Sequence, residues 1–270
     1  MPVDHYENFP VASVLLPARL RKPVGLIYQF ARTADDIADE GERPNDERLA
    51  LLEGFGDELL KMEHGERSNV ALFRELAPTI KAYGLPFGLF HDLLSAFAQD
   101  VTKKRYTDLA EVLDYSRRSA NPVGRLLLAL FEAATPQNVR WSDSICSSLQ
   151  IINFLQDIAI DFAMGRIYMP QQELERFGIS EAQIAAHDPS GGWRDFMTFQ
   201  VDRARRMLWD GAPLGRVLKG RVGMEMRMII AGGDRILAKI LAAGGDVFRH
   251  RPVLCAYDWP LMLMRTTLIR

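Results

Sequence analysis

Leu149-Gln150-Ile151-Ile152-Asn153-Phe154-Leu155-Gln156-Asp157-Ile158-Ala159-Ile160-Asp161 is apolar enough for a buried helix. Yet on a helical wheel Gln150, Asn153, Asp157 and Asp161 fall within an arc of roughly 80°. A polar stripe on an otherwise apolar helix must face water, a partner or a ligand. An exposed helix face is the plainest account of it. A second stretch argues for more. Asp35-Asp36-Ile37-Ala38-Asp39-Glu40 closes a helix expected to start near Pro23. Negative charge at a helix C-terminus opposes the macrodipole, so four carboxylates there are locally unfavourable. Asp35 and Asp39 lie within roughly 40° of each other, with Tyr28 and Arg32 on the same stripe. Their neighbours Val24, Leu26, Ile27, Phe30, Ala31 and Ile37 are apolar. A charged helix end explains the acids but not these surroundings.

Both stretches pair aspartates at i, i+4 with apolar flanks. Two such pairs facing each other would repel unless a cation lay between them. Oxygen donors at this spacing suit Mg2+, which keeps several waters and shares its shell with phosphate oxygens. A diphosphate bridged to two helices by Mg2+ is the chemistry this predicts. The metal neutralises the leaving group, and apolar walls shelter a carbocation.

The rest of the chain repeats the helical period, as in Leu51, Leu52, Phe55, Leu59 and Met62. Prolines divide it, and the segments between them predict helices over roughly 46–63, 70–83, 86–101, 108–133, 141–164, 193–210, 213–242 and 252–268. Pro23 suits a first helical turn, and Gly41 suits a helix stop. Strand alternation is absent, and no Gly/Ser linker or charge block marks a boundary. The expectation is one all-α domain over residues 1–270. Ala231-Gly232-Gly233-Asp234 echoes Ala243-Gly244-Gly245-Asp246, which predicts close helix approach or a helix end rather than a repeat array.

Composition closes off other classes. Lys+Arg 33 against Asp+Glu 35 leaves a net charge of -2, against a protein that coats nucleic acid. Cys146 and Cys255 are the two cysteines, so a disulfide scaffold is excluded and reduced thiols in the cytoplasm are expected. No Cys/His cluster suggests zinc, and no GxGxxG follows a strand as a nicotinamide fold requires. Asp4 and Glu7 stand where an export signal would need basic and then apolar residues. No apolar run reaches the ~18 residues of a spanning helix. The tail from Pro252 to Ile269 is apolar but interrupted by Asp258 and Arg265, which suits contact with a membrane surface, not passage through it.

Taken in order, the motifs resemble the squalene and phytoene synthases, which join prenyl diphosphates head to head. The resemblance runs through Tyr28-Gln29-Phe30-Ala31-Arg32 into Asp35-Asp36-Ile37-Ala38-Asp39. It continues through Tyr115 and Ser119-Ala120-Asn121-Pro122-Val123-Gly124, then Gln150, Asn153, Asp157 and Asp161, then Gly165-Arg166-Ile167-Tyr168-Met169-Pro170. Within the family, His5-Tyr6-Glu7-Asn8-Phe9-Pro10, Leu15-Leu16-Pro17 and Asn153-Phe154-Leu155-Gln156-Asp157 look most like the bacterial hydroxysqualene synthases of the hopanoid pathway. Many relatives carry arginine where this chain has Gln156, a departure that removes a cation beside the acidic site.

The resemblance implies a helical isoprenoid-synthase fold around a central apolar cavity. It implies Mg2+ on Asp35, Asp36, Asp39, Asp157 and Asp161. Arg32, Gln150 and Asn153 would help hold diphosphate. His5 and Asn8 would contact substrate near the cavity mouth, and Tyr28 and Arg166 would also bind substrate. Tyr115 and Tyr168 would face the reacting carbons or the departing diphosphate. The implied reaction is conversion of presqualene diphosphate to hydroxysqualene, with loose membrane contact and transfer of lipid to other enzymes of squalene formation. The rivals are a coupling synthase acting on two prenyl diphosphates and a non-catalytic prenyl-lipid carrier. A carrier has no use for paired metal carboxylates. Among the remaining residues, Arg105 reads as a solvated charge or a diphosphate contact, and Asp202 to Arg206 as an exposed helix face. Phe73, Phe87, Phe90, Phe97, Met224, Met226 and Met228 read as core, with some of them lining a hydrocarbon tunnel.

Overall fold

Chain segments of helix length between prolines give helices throughout. The structure is a computed structural model that describes residues 16–266. The helices are α1 (Ala18–Asp39), α2 (Asn45–Glu63), α3 (Ala71–Tyr83), α4 (Phe87–Thr102), α5 (Leu109–Ser119), α6 (Asn121–Leu130) and α7 (Pro136–Gln156). They continue with α8 (Ile158–Ala163), α9 (Gln171–Arg176), α10 (Glu181–Ala185), α11 (Trp193–Asp210), α12 (Leu214–Val217), α13 (Gly220–Ala242) and α14 (Asp258–Thr266). Among the described residues the only extended pairing is an isolated bridge between Arg105 and Ile167. The all-α expectation is met.

Several boundaries move, each for a local reason. Helix α1 begins at Ala18, so Pro23 lies inside it rather than in its first turn. Leu20 in that added turn is buried, and its packing outweighs the one backbone bond that proline cannot donate. The segment expected as one helix over 108–133 breaks at Ala120, because Pro122 has no N–H for the carbonyl one turn back. Helix α7 starts at Pro136, capped by Thr135, whose hydroxyl accepts from the Asn138 N–H at 3.2 Å. It stops at Asp157 and restarts as α8. The span 213–242 divides at Leu218, where Gly220 takes φ +63°. Residues 252–257 are not helical, and α14 begins at Asp258.

Two hydrophobic clusters meet across the molecule. One is built from α1 to α4 around Phe30, whose ring meets those of Phe73 at 5.9 Å and Phe90 at 5.1 Å. The other is built on α7, α11 and α13 around Trp193, Phe196 and Leu208. Helix α6 serves both, giving Leu126 and Leu130 to the first and Leu128 to the second. Gly232 and Gly233 are buried within α13. A Cβ on Gly233 would come within 3.1 Å of both Leu149 and Leu208, so this pair marks close helix approach. Gly244 and Gly245, at φ +64° and +84°, end the same helix.

The charges that interrupt the apolar tail are anchors. Asp258 is 0% exposed and accepts from Arg235 at 2.6 Å, Lys239 at 2.5 Å and the Cys255 N–H at 2.7 Å. Arg265 pairs with Asp234, which also takes Arg205 at 2.8 Å. Thus Arg205 is not a freely solvated charge, nor is Arg203, which pairs with Glu173. Arg105 is occupied as well, in a two-pronged pair with Glu181 at 2.6 and 2.7 Å. It is therefore not simply solvated.

Burial pushes Asp258 up, but its bonds from Lys239, the Cys255 N–H and Arg235 outweigh that and bring it down to about 2. A depressed carboxylate stabilises the fold above its unfolded value of about 4, and the contribution is lost as pH falls through about 2. Asp258→Ala is expected to cost about 3 kcal/mol at neutral pH, read by denaturant unfolding. The gap between variant and parent should close as the pH is lowered from about 4 to about 2.

Candidate active site

Where the two clusters meet, a cavity of about 600 Å3 is left. Its walls come from α1, α4, α5, α6, α7 and α13, and they are mostly apolar, with Phe97 and Met226 among them. Phe73, Phe90 and Met228 belong to the packed core. Polar groups gather at one end. Tyr28, Arg32 and Asp35 of α1 face the cavity, as do Gln150 and Asn153 of α7 and Tyr115 of α5. Parts of both predicted stripes thus reach one space, Tyr28, Arg32 and Asp35 from α1 and Gln150 and Asn153 from α7, while Asp39, Asp157 and Asp161 stand outside its lining.

Beyond that end the remaining acids are held by arginines. Arg32 pairs with Asp36 at 2.7 Å, Asp35 at 3.4 Å and Glu40 at 2.8 Å. Arg166, which follows α8, donates to both oxygens of Asp39, one of them at 2.9 Å. Asp157 stands at the break between α7 and α8 and takes both prongs of Arg251. Gln156 is buried, and its amide donates to the Pro252 carbonyl at 2.5 Å. Where a side-chain cation was missed at Gln156, the chain brings Arg251 to the neighbouring carboxylate. The break also means that Asp161 no longer continues the α7 stripe. It sits on α8, with its N–H bonded to the Asp157 carbonyl at 2.8 Å.

The two tyrosines meet through Asp100, near the end of α4. Tyr115 donates to one oxygen of Asp100 at 2.5 Å and Tyr168 to the other at 2.8 Å. Tyr168 also stacks on Phe154, with ring centroids 4.0 Å apart and planes 6° from parallel. Tyr115 faces the cavity, whereas Tyr168 lies behind its wall. Asp100 was not singled out from sequence, because one acid in Leu93-Leu94-Ser95-Ala96-Phe97-Ala98-Gln99-Asp100 has no partner to announce it. Arg251 lies in a segment without periodicity and gave no signal either. His5 and Asn8 lie outside the described residues.

The electrostatics are those of carboxylates short of positive charge. Burial, and then repulsion from Asp39, push Asp35 up to about 7 against the pull of Arg32. Burial, and then Asp157, push Asp161 up to about 8 against the pull of Arg166. Burial also lifts Asp100 to about 6, although Tyr115, Arg166 and Tyr168 oppose it. The Tyr115 and Tyr168 hydroxyls are driven well up, by burial first and Asp100 second, and stay protonated donors.

Among the described residues no three carboxylate, imidazole or thiol groups form a closed metal cage. The donor set nonetheless fits Mg2+, which uses one or two carboxylates together with substrate phosphate oxygens and water. Asp35 and Asp161 are the carboxylates whose burial an added cation would relieve. Arg166 adds a buried Nε with no hydrogen-bond partner in the described structure, a donor available to an anion.

A family model described as squalene/phytoene synthase matches residues 3–258. The chain belongs to the squalene/phytoene synthase family. It is therefore an enzyme of prenyl diphosphate chemistry. It is 38% identical to the hydroxysqualene synthase of Rhodopseudomonas palustris, over 86% of this chain and 78% of that protein. It is 35% identical to the hydroxysqualene synthase of Sinorhizobium fredii, over 87% and 79%. The crystal structure of squalene synthase HpnC from Alicyclobacillus acidocaldarius superposes with a TM-score of 0.83 at 36% identity, covering 90% of this chain and 91% of that one. The isoprenoid-synthase fold expected from the motifs is the fold found.

Removing Asp100 orphans two buried hydroxyls at once. Asp100→Ala is expected to lower the unfolding free energy by about 3 kcal/mol, measured by denaturant unfolding. Asp100→Asn, which keeps an acceptor, should lose about half as much.

Proposed function

We propose that the chain acts as one domain and is a Mg2+-dependent hydroxysqualene synthase of squalene and hopanoid formation. It would convert presqualene diphosphate and water to hydroxysqualene and diphosphate. The observation that carries this is a mostly apolar cavity lined by Arg32, Asp35, Gln150 and Asn153, with Asp35 and Asp161 both pushed up by burial and by neighbouring carboxylates, in a chain similar to hydroxysqualene synthases.

Asp35, Asp36 and Asp39 on one side, and Asp157 and Asp161 on the other, would hold Mg2+. When bound, the metal supplies positive charge to the leaving diphosphate. Arg32, Gln150, Asn153 and Arg166 bind diphosphate oxygens, and His5 and Asn8 contact substrate at the mouth. Tyr28 completes the wall on α1. Tyr115, pinned by Asp100, presents its ring to the carbons where positive charge develops. Tyr168 fixes Asp100 from the other side. The apolar walls keep bulk water away until the three-membered ring of the substrate has opened.

Helix α14 suggests where the lipid goes. Trp259, Leu261, Leu263 and Met264 are 44%, 41%, 53% and 65% exposed, and no helix among the described residues is long and apolar enough to cross a membrane. Arg265 of the same helix is paired with Asp234, and the acid of the segment, Asp258, is buried. Apolar and aromatic side chains exposed along one helix suit the surface of a membrane. The enzyme would sit on the cytoplasmic face and pass its product to other enzymes of squalene formation. A carbonate wash should release it from membranes; retention like an integral protein would contradict this.

Asp35→Ala and Asp157→Ala should each abolish most turnover while leaving the helical circular dichroism nearly unchanged, since carboxylate repulsion is relieved. Full activity in either variant would end the metal-clamp reading. Presqualene diphosphate with Mg2+ and no reductant should give an alcohol carrying oxygen-18 from labelled water. Adding NADPH should leave the product unchanged. Squalene on NADPH addition would place the chain on the reductive branch. Rapid consumption of farnesyl diphosphate with presqualene diphosphate accumulating would establish a coupling synthase instead.

A further inference from the structure

A serine in a helix commonly turns its hydroxyl back onto the carbonyl one turn earlier. Ser116 of α5 does so, donating to Val112 at 2.9 Å. Ser119, at the end of the same helix, does not. Its Oγ is closed to solvent and meets no hydrogen-bond partner among the described residues, although the residue stands in the cavity wall. Two other wall hydroxyls are occupied: Tyr115 by Asp100 and Ser142 by Cys146. A buried hydroxyl without a partner is disfavoured and calls for one. The open space beside Ser119 is the cavity, which one rotation about its Cα–Cβ bond would let the hydroxyl address.

The position of Ser119 limits what that partner is. Four residues separate it from Tyr115, so the two share a face of α5 about 6 Å apart along the axis. Tyr115 is tied through Asp100 to the acidic end. Ser119 therefore sits about one turn along α5 from the Tyr115 ring, which is read as facing the reacting carbons, and so beside carbons rather than phosphates. A prenyl chain offers no polar atom there. Water is the remaining polar species in the reaction.

We propose that Ser119 holds the water molecule captured by the allylic cation, an inference that rests on reading the chain as a hydroxysqualene synthase. The ester C–O bond breaks first, and its electron pair leaves with diphosphate. The cation rearranges and its three-membered ring opens. Ser119 Oγ accepts one O–H of the water, which leaves a water lone pair free to form the new C–O bond. The surplus proton passes to the departed diphosphate, giving neutral alcohol and hydrogen diphosphate. Serine positions this water and does not deprotonate it, being far too weak a base. A water tethered to one wall cannot reach the earlier cations, which explains how capture waits for the opened chain.

The test compares the parent enzyme with Ser119→Ala and Ser119→Thr on presqualene diphosphate, Mg2+ and oxygen-18 water, without reductant. Diphosphate release and product distribution are read separately. Ser119→Ala should release diphosphate within about twofold of the parent. Its share of labelled hydroxysqualene should fall about tenfold, the effect of losing one hydrogen bond to the attacking water. Polyenes from proton loss, or alcohols oxygenated elsewhere, should replace it, and Ser119→Thr should restore the parent product. An undiminished hydroxysqualene share in Ser119→Ala overturns the proposal and leaves the functional reading intact. Diphosphate release and alcohol falling together would make Ser119 structural and also overturn it. A parent that releases diphosphate without making alcohol overturns the functional reading itself. Should Ser119→Ala not fold, Ser119→Cys, which keeps the volume, gives the same comparison.

Discussion

Asp100 accepts from two tyrosines on different segments, and much of the site depends on that pair of bonds. It joins the end of α4 to α5 through Tyr115 and to the strand-like segment after α8 through Tyr168. The second connection also fixes Arg166, two residues away, which holds Asp39 of α1. Four separate stretches of chain are therefore registered against one buried carboxylate. A protein interior tolerates such a group only when each of its oxygens is satisfied. Here both are, which sets the Tyr115 ring in the wall and the Tyr168 ring flat on Phe154.

Around that anchor the charges are arranged by distance from the cavity. Asp35 faces the lumen and is pushed up by burial and Asp39, whereas Asp39 pairs with Arg166 and Asp157 with Arg251. The site is thus divided between carboxylates already balanced by arginine and carboxylates that are not. Such a division allows a cation and an anion to enter together without leaving net charge behind in an apolar surround.

The helical class and the two acidic stripes were legible because both are periodic. The apolar period of α1 and α7 and the i, i+4 aspartates are properties of neighbouring residues, and a wheel displays them. The breaks at Ala120, Asp157 and Leu218 were not, because the apolar pattern continues across each of them while the backbone turns. At Ala120 the cause, Pro122, was visible, but proline is equally compatible with a continuing helix, as Pro23 and Pro78 demonstrate inside α1 and α3. Asp100 and Arg251 were hidden for another reason: their partners lie 15 or more residues away, Arg251 being 94 residues from Asp157. A long-range ion pair leaves no trace in local spacing.

Cys146 has a role that follows from its surroundings. It stands in the cavity wall, and burial pushes its thiol up to about 11 despite the hydrogen bond from Ser142. Sulfur is nucleophilic as thiolate and far less so as thiol. Burial therefore keeps the anionic, more nucleophilic form of this sulfur out of the cavity wall.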